Sequence, residues 1–189
     1  MKWVSIILTA VLCFVSSGGV SAQRTLPGQR GLQLTAGSVN GLNPEAGFYS
    51  GIAFSQYTKG ANKWAVGVEY LEKQHPYRDI HIPQSQFTVD AGYCLKFLSD
   101  ASKTVFFSAK VSAIGGYETV NWDKKLLFDG ATIGNEDAFL YGGAIGLEME
   151  TYLSNRLVLL LNARERLLWG SSINKFHFAL EIGIKVIIN

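Results

Sequence analysis

The sequence predicts an all-β protein: an eight-stranded, antiparallel, up-and-down β-barrel of the outer-membrane type. Several segments alternate between apolar residues and polar or small ones, which is the period of a strand with one face in an apolar environment. The chain also opens with a segment typical of exported proteins. The whole chain has 20 Gly and only 4 Pro, and beyond the opening segment no apolar run reaches the roughly 18 residues of a transmembrane helix.

Residues 1–22 read as a cleaved signal peptide. Lys2 forms a short positive region, residues 3–15 are apolar, and small residues at 20–22 form the cleavage site. The apolar run is too short to cross a bilayer as a helix, which favours cleavage over an uncleaved anchor. We therefore expect a signal peptide and one barrel domain, residues 23–189.

Eight segments are expected to be strands. The alternation is clearest at 87–97, 105–117 and 178–188, where one face is apolar throughout and the other is small, polar or charged. Five further segments have a noisier pattern: 32–39, 48–56, 64–72, 139–152 and 157–169. Residues 157–169 could also form an amphipathic helix, although the short turn before them favours a strand.

The lengths of the connections support a membrane barrel. With the N-terminus in the periplasm, the connections facing outside are 40–47, 73–84, 119–137 and 170–175. The connections facing inside are 57–63, 98–103 and 153–155. The two longest therefore face outside, as in bacterial outer-membrane barrels.

Aromatic residues near the strand ends could form the two girdles of a membrane barrel. Aromatic side chains are also good strand formers, so their positions favour girdles only modestly. The residues in question are Phe48, Trp64, Tyr70, Phe87, Tyr93, Phe97, Tyr117, Phe139, Tyr152, Trp169 and Phe178.

The polar faces of the predicted strands carry both acids and bases. If these faces line a narrow lumen, their charges must pair with one another, because an unpaired buried charge is costly. The same alternation would also fit a soluble, lipocalin-like barrel with its polar face outside. We expect a lumen network of Asp90, Lys110, Glu148, Arg164, Glu181 and Lys185, to which Glu69 belongs by its position.

Composition and motifs argue against an enzyme or a nucleic-acid-binding protein. The net charge of the whole chain is only +2, and no hydrolase, zinc-protease or dinucleotide-binding motif is present. Cys94 would be the only cysteine of the mature chain, so no disulfide could form within it. His75 and His81 flank Asp79, but two imidazoles and one carboxylate match no metal-site spacing. We expect no cofactor and no metal.

Several short segments, in order along the mature chain, resemble one family. They are 26–32 (LPGQRGL), 77–79 (YRD), 82–83 (IP), 116–118 (GYE), 129–130 (DG), 136–137 (ED), 150–156 (ETYLSNR) and 168–170 (LWG). Their combination resembles the conjugative transposon protein TraO family of Bacteroides-type mobile elements. The resemblance implies a part in the envelope machinery of conjugation, with other transfer proteins as partners. It brings no catalytic residue with it.

These observations lead to one expected function and three alternatives. We expect a non-enzymatic outer-membrane component of a type IV secretion-like transfer apparatus, a scaffold or anchor that binds no DNA directly. The alternatives are a stand-alone surface barrel such as an adhesin, a soluble periplasmic ligand-binding barrel, and an outer-membrane hydrolase. Residues expected to contact partners lie in two outer loops: Tyr77, Arg78, Asp79, Asp129, Glu136 and Asp137.

Overall fold

Eight strands make up nearly all of the described chain. The computed structural model describes residues 26–41, 47–77, 80–123, 132, 137–171 and 175–188. Two short 3₁₀ turns, Lys59–Ala61 and Asn121–Asp123, follow the second and fifth strands. The strands are β1 (Arg30–Val39), β2 (Gly47–Tyr57), β3 (Lys63–Tyr77), β4 (Ile80–Ser99), β5 (Val105–Val120), β6 (Ala138–Tyr152), β7 (Leu157–Trp169) and β8 (Phe176–Ile188).

The strands form one closed antiparallel barrel in sequence order. Each strand pairs with the next, and β1 pairs with β8 over the full length of β1, so the sheet has no free edge. The predicted eight-stranded up-and-down barrel is therefore confirmed. Leu157–Trp169 is a strand, which excludes the helical alternative.

Among the residues that the model describes, no helix is long and apolar enough to cross a bilayer.

The strands are strongly staggered around the barrel. Starting at Gly31 on β1, one can step from each residue to its paired residue on the next strand, through β2 to β7, and this path arrives at His177 on β8. The Nδ1 of His177 lies 3.4 Å from the Nδ2 of Asn40, just beyond the other end of β1. Such a stagger tilts the strands relative to the barrel axis. Below, the terminal end is the end where β1 begins and β8 ends, and the loop end is the end where β3 turns into β4.

The two faces of the sheet differ completely in chemistry. Along β8 every second residue is buried, from His177 to Ile187, and the residues between them are exposed. Lys185 is fully buried in the lumen, whereas Ile182 points outward and is 56% exposed. The charged side chains of β8 therefore face the interior, and its exterior face is apolar.

The structure differs from the predicted boundaries at the loop end. The predicted connection 73–84 is largely strand, because β3 continues to Tyr77 and β4 begins at Ile80, directly paired with it. Two prolines, Pro76 and Pro83, made this segment resemble a loop. Both lie in the part of the β3–β4 hairpin that extends past β2 and β5, where proline is tolerated because an edge backbone group needs no ladder partner.

One predicted girdle residue was wrong. Tyr152 is 3% exposed and faces the lumen, because it has the same parity as Glu148 and Glu150: residues at alternate positions of β6 face the same side of the sheet. Predicted girdle residues at the loop end form outward aromatic pairs, such as Tyr117 with Phe139 and Tyr70 with Phe87.

Candidate functional site

The lumen holds a central cluster of charged residues built around Arg164. Its guanidinium reaches three carboxylates from three other strands: Nη2 lies 2.9 Å from Glu69 Oε1, and Nε lies 2.5 Å from Glu181 Oε1. The third contact, from Nη1 to Asp90 Oδ2, is 3.4 Å. Lys110 adds a second cation, with Nζ 2.7 Å from Asp90 Oδ1. Each charge in the cluster, costly to bury alone, thus lies next to a charge of opposite sign, and Arg166, 3.8 Å from Glu69, adds a third cation for the three carboxylates.

Neutral groups complete the central cluster. Ser112 donates a hydrogen bond of 2.6 Å to Asp90, and Asn162 donates one of 3.2 Å to Glu181. The Arg164 guanidinium also lies over the ring of Tyr49, 5.0 Å from the ring centroid, in a cation–π contact. Such additional hydrogen bonds are needed, because ion pairing alone does not offset the free-energy cost of removing charges from water.

A terminal cluster lies closer to the terminal end and shares one carboxylate between two lysines. Glu150 accepts hydrogen bonds from the Nζ atoms of Lys63 and Lys185, and Lys63 also pairs with Glu148. Tyr57 donates to Glu150 at 3.1 Å and accepts from Lys185 at 2.9 Å. All of these side chains are buried, so this cluster also has to be closely balanced in charge.

Apolar side chains close the lumen beyond the terminal cluster. Phe106 and Tyr152 make an edge-to-face contact with ring centroids 5.7 Å apart. The closing layer consists of Tyr57, Phe106, Tyr152, Val158, Leu160 and Ile187. Leu160 and Val158 are completely buried in it. The terminal end of the barrel is therefore filled with packed side chains rather than open.

Two smaller apolar groups and a polar group occupy the lumen towards the loop end. The apolar groups are Val39, Tyr49, Leu71 and Ala179 on one side, and Ile114, Leu140, Ala144 and Leu168 on the other. Near them Gln86 donates a hydrogen bond of 2.7 Å to Glu118, and Ser171 donates one of 2.9 Å to the same carboxylate. The charged clusters thus lie between packed layers.

The six residues expected in a lumen network fall into two clusters. Asp90, Lys110, Arg164 and Glu181 meet in the central cluster. Glu148 and Lys185 belong to the terminal cluster.

Four further buried charged residues of the described strands were missed, and one of them, Glu118, lies just past the end of the predicted strand 105–117. Lys63 was placed in a connection, because the predicted third strand began one residue later. Glu150 and Arg166 lie inside predicted strands and share the parity of Glu148 and Arg164, so extending the alternation by one step would have found them. Arg166 lies 3.2 Å from Thr88 Oγ1 and 3.8 Å from Glu69.

Of the loop residues expected to contact partners, Asp137 is described in full. Its carboxylate accepts a hydrogen bond of 2.9 Å from Tyr117 Oη and one of 3.2 Å from the Val120 amide, so it joins the end of β5 to the start of β6. Tyr77 ends β3, with its backbone paired to Ile80. The remaining four, Arg78, Asp79, Asp129 and Glu136, lie outside the described residues.

One histidine of the β3–β4 hairpin, His75, contacts a side chain of the facing strand. His75 Nε2 lies 2.8 Å from Gln84 Oε1, across the β3–β4 pair. Within the described part of the chain, no three His, Cys, Asp or Glu side chains come together as metal ligands would.

Comparison with known proteins identifies the family. The model of the family described as "Conjugative transposon protein TraO" matches residues 26–188, nearly the whole chain. The chain belongs to the TraO family. The resemblance noted in the sequence is therefore confirmed, and with it an involvement in conjugative transposons. No curated protein matches the chain.

Solved structures show where this TraO-family fold occurs. Ail, the attachment invasion locus protein of Yersinia pestis, matches with a TM-score of 0.51 and 10% identity, over 86% of this chain and 100% of that chain. Ail in complex with the heparin analogue sucrose octasulfate matches with a TM-score of 0.53 at the same identity and coverage. Ail is an outer membrane protein. The TraO-family chain thus has the fold of small outer-membrane barrels.

Proposed function

We propose that this TraO-family protein is a non-enzymatic outer-membrane barrel that anchors or scaffolds a conjugative transfer apparatus. The observation that carries the proposal is the division of the sheet into an apolar exterior and an interior of paired charges. Residues 1–22 would direct export and be removed, which leaves a barrel domain from residue 23 onward. The partners would be other transfer proteins of the envelope and the lipid of the outer membrane.

The exterior of the barrel fits hydrocarbon better than water. Outward residues from several strands are large, apolar and well exposed, including Leu34 (60%), Ile145 (65%) and Phe139 (80%). A soluble periplasmic barrel would need the opposite orientation, since monomeric soluble proteins rarely expose contiguous apolar patches of more than a few hundred Å². Closure also pairs each strand with two neighbours over the body of the barrel, which satisfies backbone groups that lipid could not.

The interior of the barrel argues for a scaffold rather than a channel or an enzyme. The lumen is occupied by ion pairs and by the packed apolar layer at the terminal end, so transferred DNA would pass elsewhere. The ionic groups contact one another, which suits stability rather than chemistry on a substrate. Family membership favours a transfer role over a stand-alone surface barrel.

Contacts with other transfer proteins would lie at the loop end. The β3–β4 hairpin extends past β2 and β5 there, with strands that pair as far as Tyr77 and Ile80. The paired backbone of Tyr77 and Ile80 fixes the two strand ends from which a contact site would project. The second expected contact region is the β5–β6 connection, whose last residue, Asp137, is fixed by Tyr117 and Val120.

Location can be tested by fractionating cells that express the chain. We expect the protein in the outer-membrane fraction, resistant to salt and alkali washes, and with a gel mobility that changes on boiling as it does for small barrels. N-terminal sequencing of the mature protein should begin at Gln23. Release into the periplasmic fraction without detergent would contradict the proposed location.

The role in transfer can be tested by a hairpin deletion in a complemented deletion strain. Replacing residues 75–82 with Asn-Gly joins Gln74 to Pro83, which are directly paired, so a two-residue turn can close the hairpin. We expect a lower mating frequency with normal amounts of heat-modifiable barrel. The matched control replaces the Lys59–Ala61 turn at the terminal end and should leave transfer unchanged. Normal mating by both the hairpin deletion and the gene deletion would refute a transfer role.

A further inference from the structure

Glu165 carries a charge on the apolar exterior of the barrel. It lies between Arg164 and Arg166 on β7, both of which face the lumen, so alternation directs Glu165 outward. Its paired neighbours are Ile145 on β6 and Phe178 on β8. Both neighbours are exposed apolar residues, at 65% and 44%.

The position of Glu165 along the strand is well inside the apolar band. Trp169, at the loop end of β7, stacks on Tyr141 in the girdle region. Glu165 lies four positions before Trp169, about 10 Å closer to the middle of a band roughly 25 Å tall, given the strand rise and tilt. Two other outward charges of the described strands lie farther from the middle: Arg30 begins β1, and Glu72 lies where the β2–β3 pairing ends, beyond Tyr70, whose hydroxyl donates to it.

The carboxylate of Glu165 has no partner of opposite charge in the part of the barrel that the structure describes. Among the described residues no hydrogen bond or ion pair reaches it, and its cross-strand neighbours are apolar. An ionisable side chain facing hydrocarbon is costly and is usually retained for a function. On the lipid face of a barrel such a residue destabilises the fold rather than supporting it.

A row of small residues on the exterior begins diagonally across from Glu165, at the position on β6 that faces Leu167. Ala91, Ala113 and Gly143 are paired in sequence across β4, β5 and β6, and all three belong to the outward face. Gly143 pairs in turn with Leu167, the outward residue next to Glu165 on β7. Small residues allow another membrane segment to approach the backbone closely, which strengthens packing and hydrogen bonding in lipid.

We propose that Glu165 is the docking point for a membrane-embedded segment of another transfer protein, and that this segment carries a lysine or arginine. The segment would lie on the small-residue surface of Ala91, Ala113 and Gly143 and place its cation on the Glu165 carboxylate. This proposal rests on the proposed function, since it identifies the chemistry of one of the envelope partners.

Charge complementarity favours such a partner over a second copy of this chain. In the described strands, no outward lysine or arginine lies at the depth of Glu165, so a symmetric dimer through this face would supply no cation. An isologous contact would instead bring two identical faces, and their carboxylates, towards each other.

Direct binding can be measured with a synthetic transmembrane helix in phospholipid vesicles. The probe is a Leu/Ala helix with one lysine in its outer half and a dansyl acceptor, and energy transfer from the tryptophans of the barrel reports binding. We expect Glu165→Gln to weaken binding about tenfold, the value of one charge-assisted hydrogen bond. A probe with leucine in place of lysine should be weakened equally, whereas the Glu72→Gln control should bind like the wild type. Equal binding by the wild type and Glu165→Gln would overturn the proposal.

Stability and transfer should change in opposite directions in Glu165→Leu. We expect this variant to unfold at higher urea in vesicles, because leucine suits hydrocarbon, and to mate less efficiently at an unchanged protein level. A stabilised variant that mates normally would mean that Glu165 merely faces lipid, and a destabilised variant would mean that the barrel itself needs the carboxylate. Either result overturns the proposal, as would self-association that depends on Glu165. The vesicle assay is independent of mating, so a failure of the transfer role and a failure of the docking site can be distinguished.

Discussion

Replacing Arg164 with methionine tests whether the lumen is stabilised by charge balance. Methionine keeps much of the side-chain volume but removes the cation that Glu69, Asp90 and Glu181 share. Removing one partner from a buried ion pair typically costs about 3–5 kcal/mol, because the remaining charge is left without compensation. Three carboxylates lose their common partner here, so we expect a loss within or above that range.

The assay is urea unfolding of the barrel in phospholipid vesicles, followed by tryptophan fluorescence and by gel mobility without boiling. Lys110→Met is the matched control. Lys110 is 19% exposed and pairs with Asp90, which keeps Arg164 and Ser112 as partners. We therefore expect Lys110→Met to cost about 1 kcal/mol, as is typical of a partly solvated pair.

The losses of unfolding free energy in the two variants, compared with each other, test whether Arg164 balances the charge of the central cluster. If Arg164→Met costs no more than Lys110→Met, the central cluster is not balanced as the geometry indicates. Adding Glu181→Gln to Arg164→Met should recover part of the loss, since one of the orphaned carboxylates is then neutral. A double variant less stable than Arg164→Met alone would also refute the reasoning.

Three further experiments, two substitutions and one labelling test, probe the packing of the lumen. Gly146→Val should destabilise the barrel by about 1–3 kcal/mol in the same urea assay. The reason is steric, because a Cβ at Gly146 would lie 2.6 Å from the Cβ of Arg164. In the control Gly115→Ala the added methyl group has open space, so this variant should unfold like the wild type. Leu160→Ala should cost about 2–5 kcal/mol by opening a cavity in the apolar layer at the terminal end, and an unchanged unfolding midpoint would show that this layer is not packed. Cys94 is buried in the lumen, so maleimide should label it only after unfolding, and rapid labelling of the folded barrel would contradict a filled interior.

The strands and their closure could be predicted because each depends on a local signal. Alternation fixes which residues share a face, and the turns fix which strands are neighbours. The extent of β3 and β4 could not be read in this way, since Pro76 and Pro83 are signals for a loop unless the hairpin is known to project beyond its neighbours. Tyr152 illustrates the same limit: its aromatic character suggested a girdle, but the parity of β6 places it in the lumen.

The composition of the charge clusters could be anticipated more easily than their grouping. The lumen-facing parity of β7 identifies Arg164, but its partners come from β3, β4 and β8. Residues on β3 and β7 are not neighbours in the sheet, and they meet only because the barrel closes and its strands are staggered. Register and stagger depend on the whole set of pairings, and no single segment of the sequence contains them.

Alternation alone does not decide which face of a barrel turns inward, and the pairing of charges supplies the missing criterion. In this chain one parity carries acids and bases from several strands, which can compensate one another within a narrow lumen, as Lys63, Glu150 and Lys185 do. The opposite parity carries almost no charge between the strand ends, which suits a face turned towards lipid. By this criterion Glu165 is an exception within the described strands, since its parity places a carboxylate where the barrel offers no cation. The paired charges of the lumen stabilise one another within the barrel, so folding alone explains them. An unpaired charge on an apolar face is not explained in this way and requires a partner outside the chain. Glu165 is therefore the most informative residue to change first.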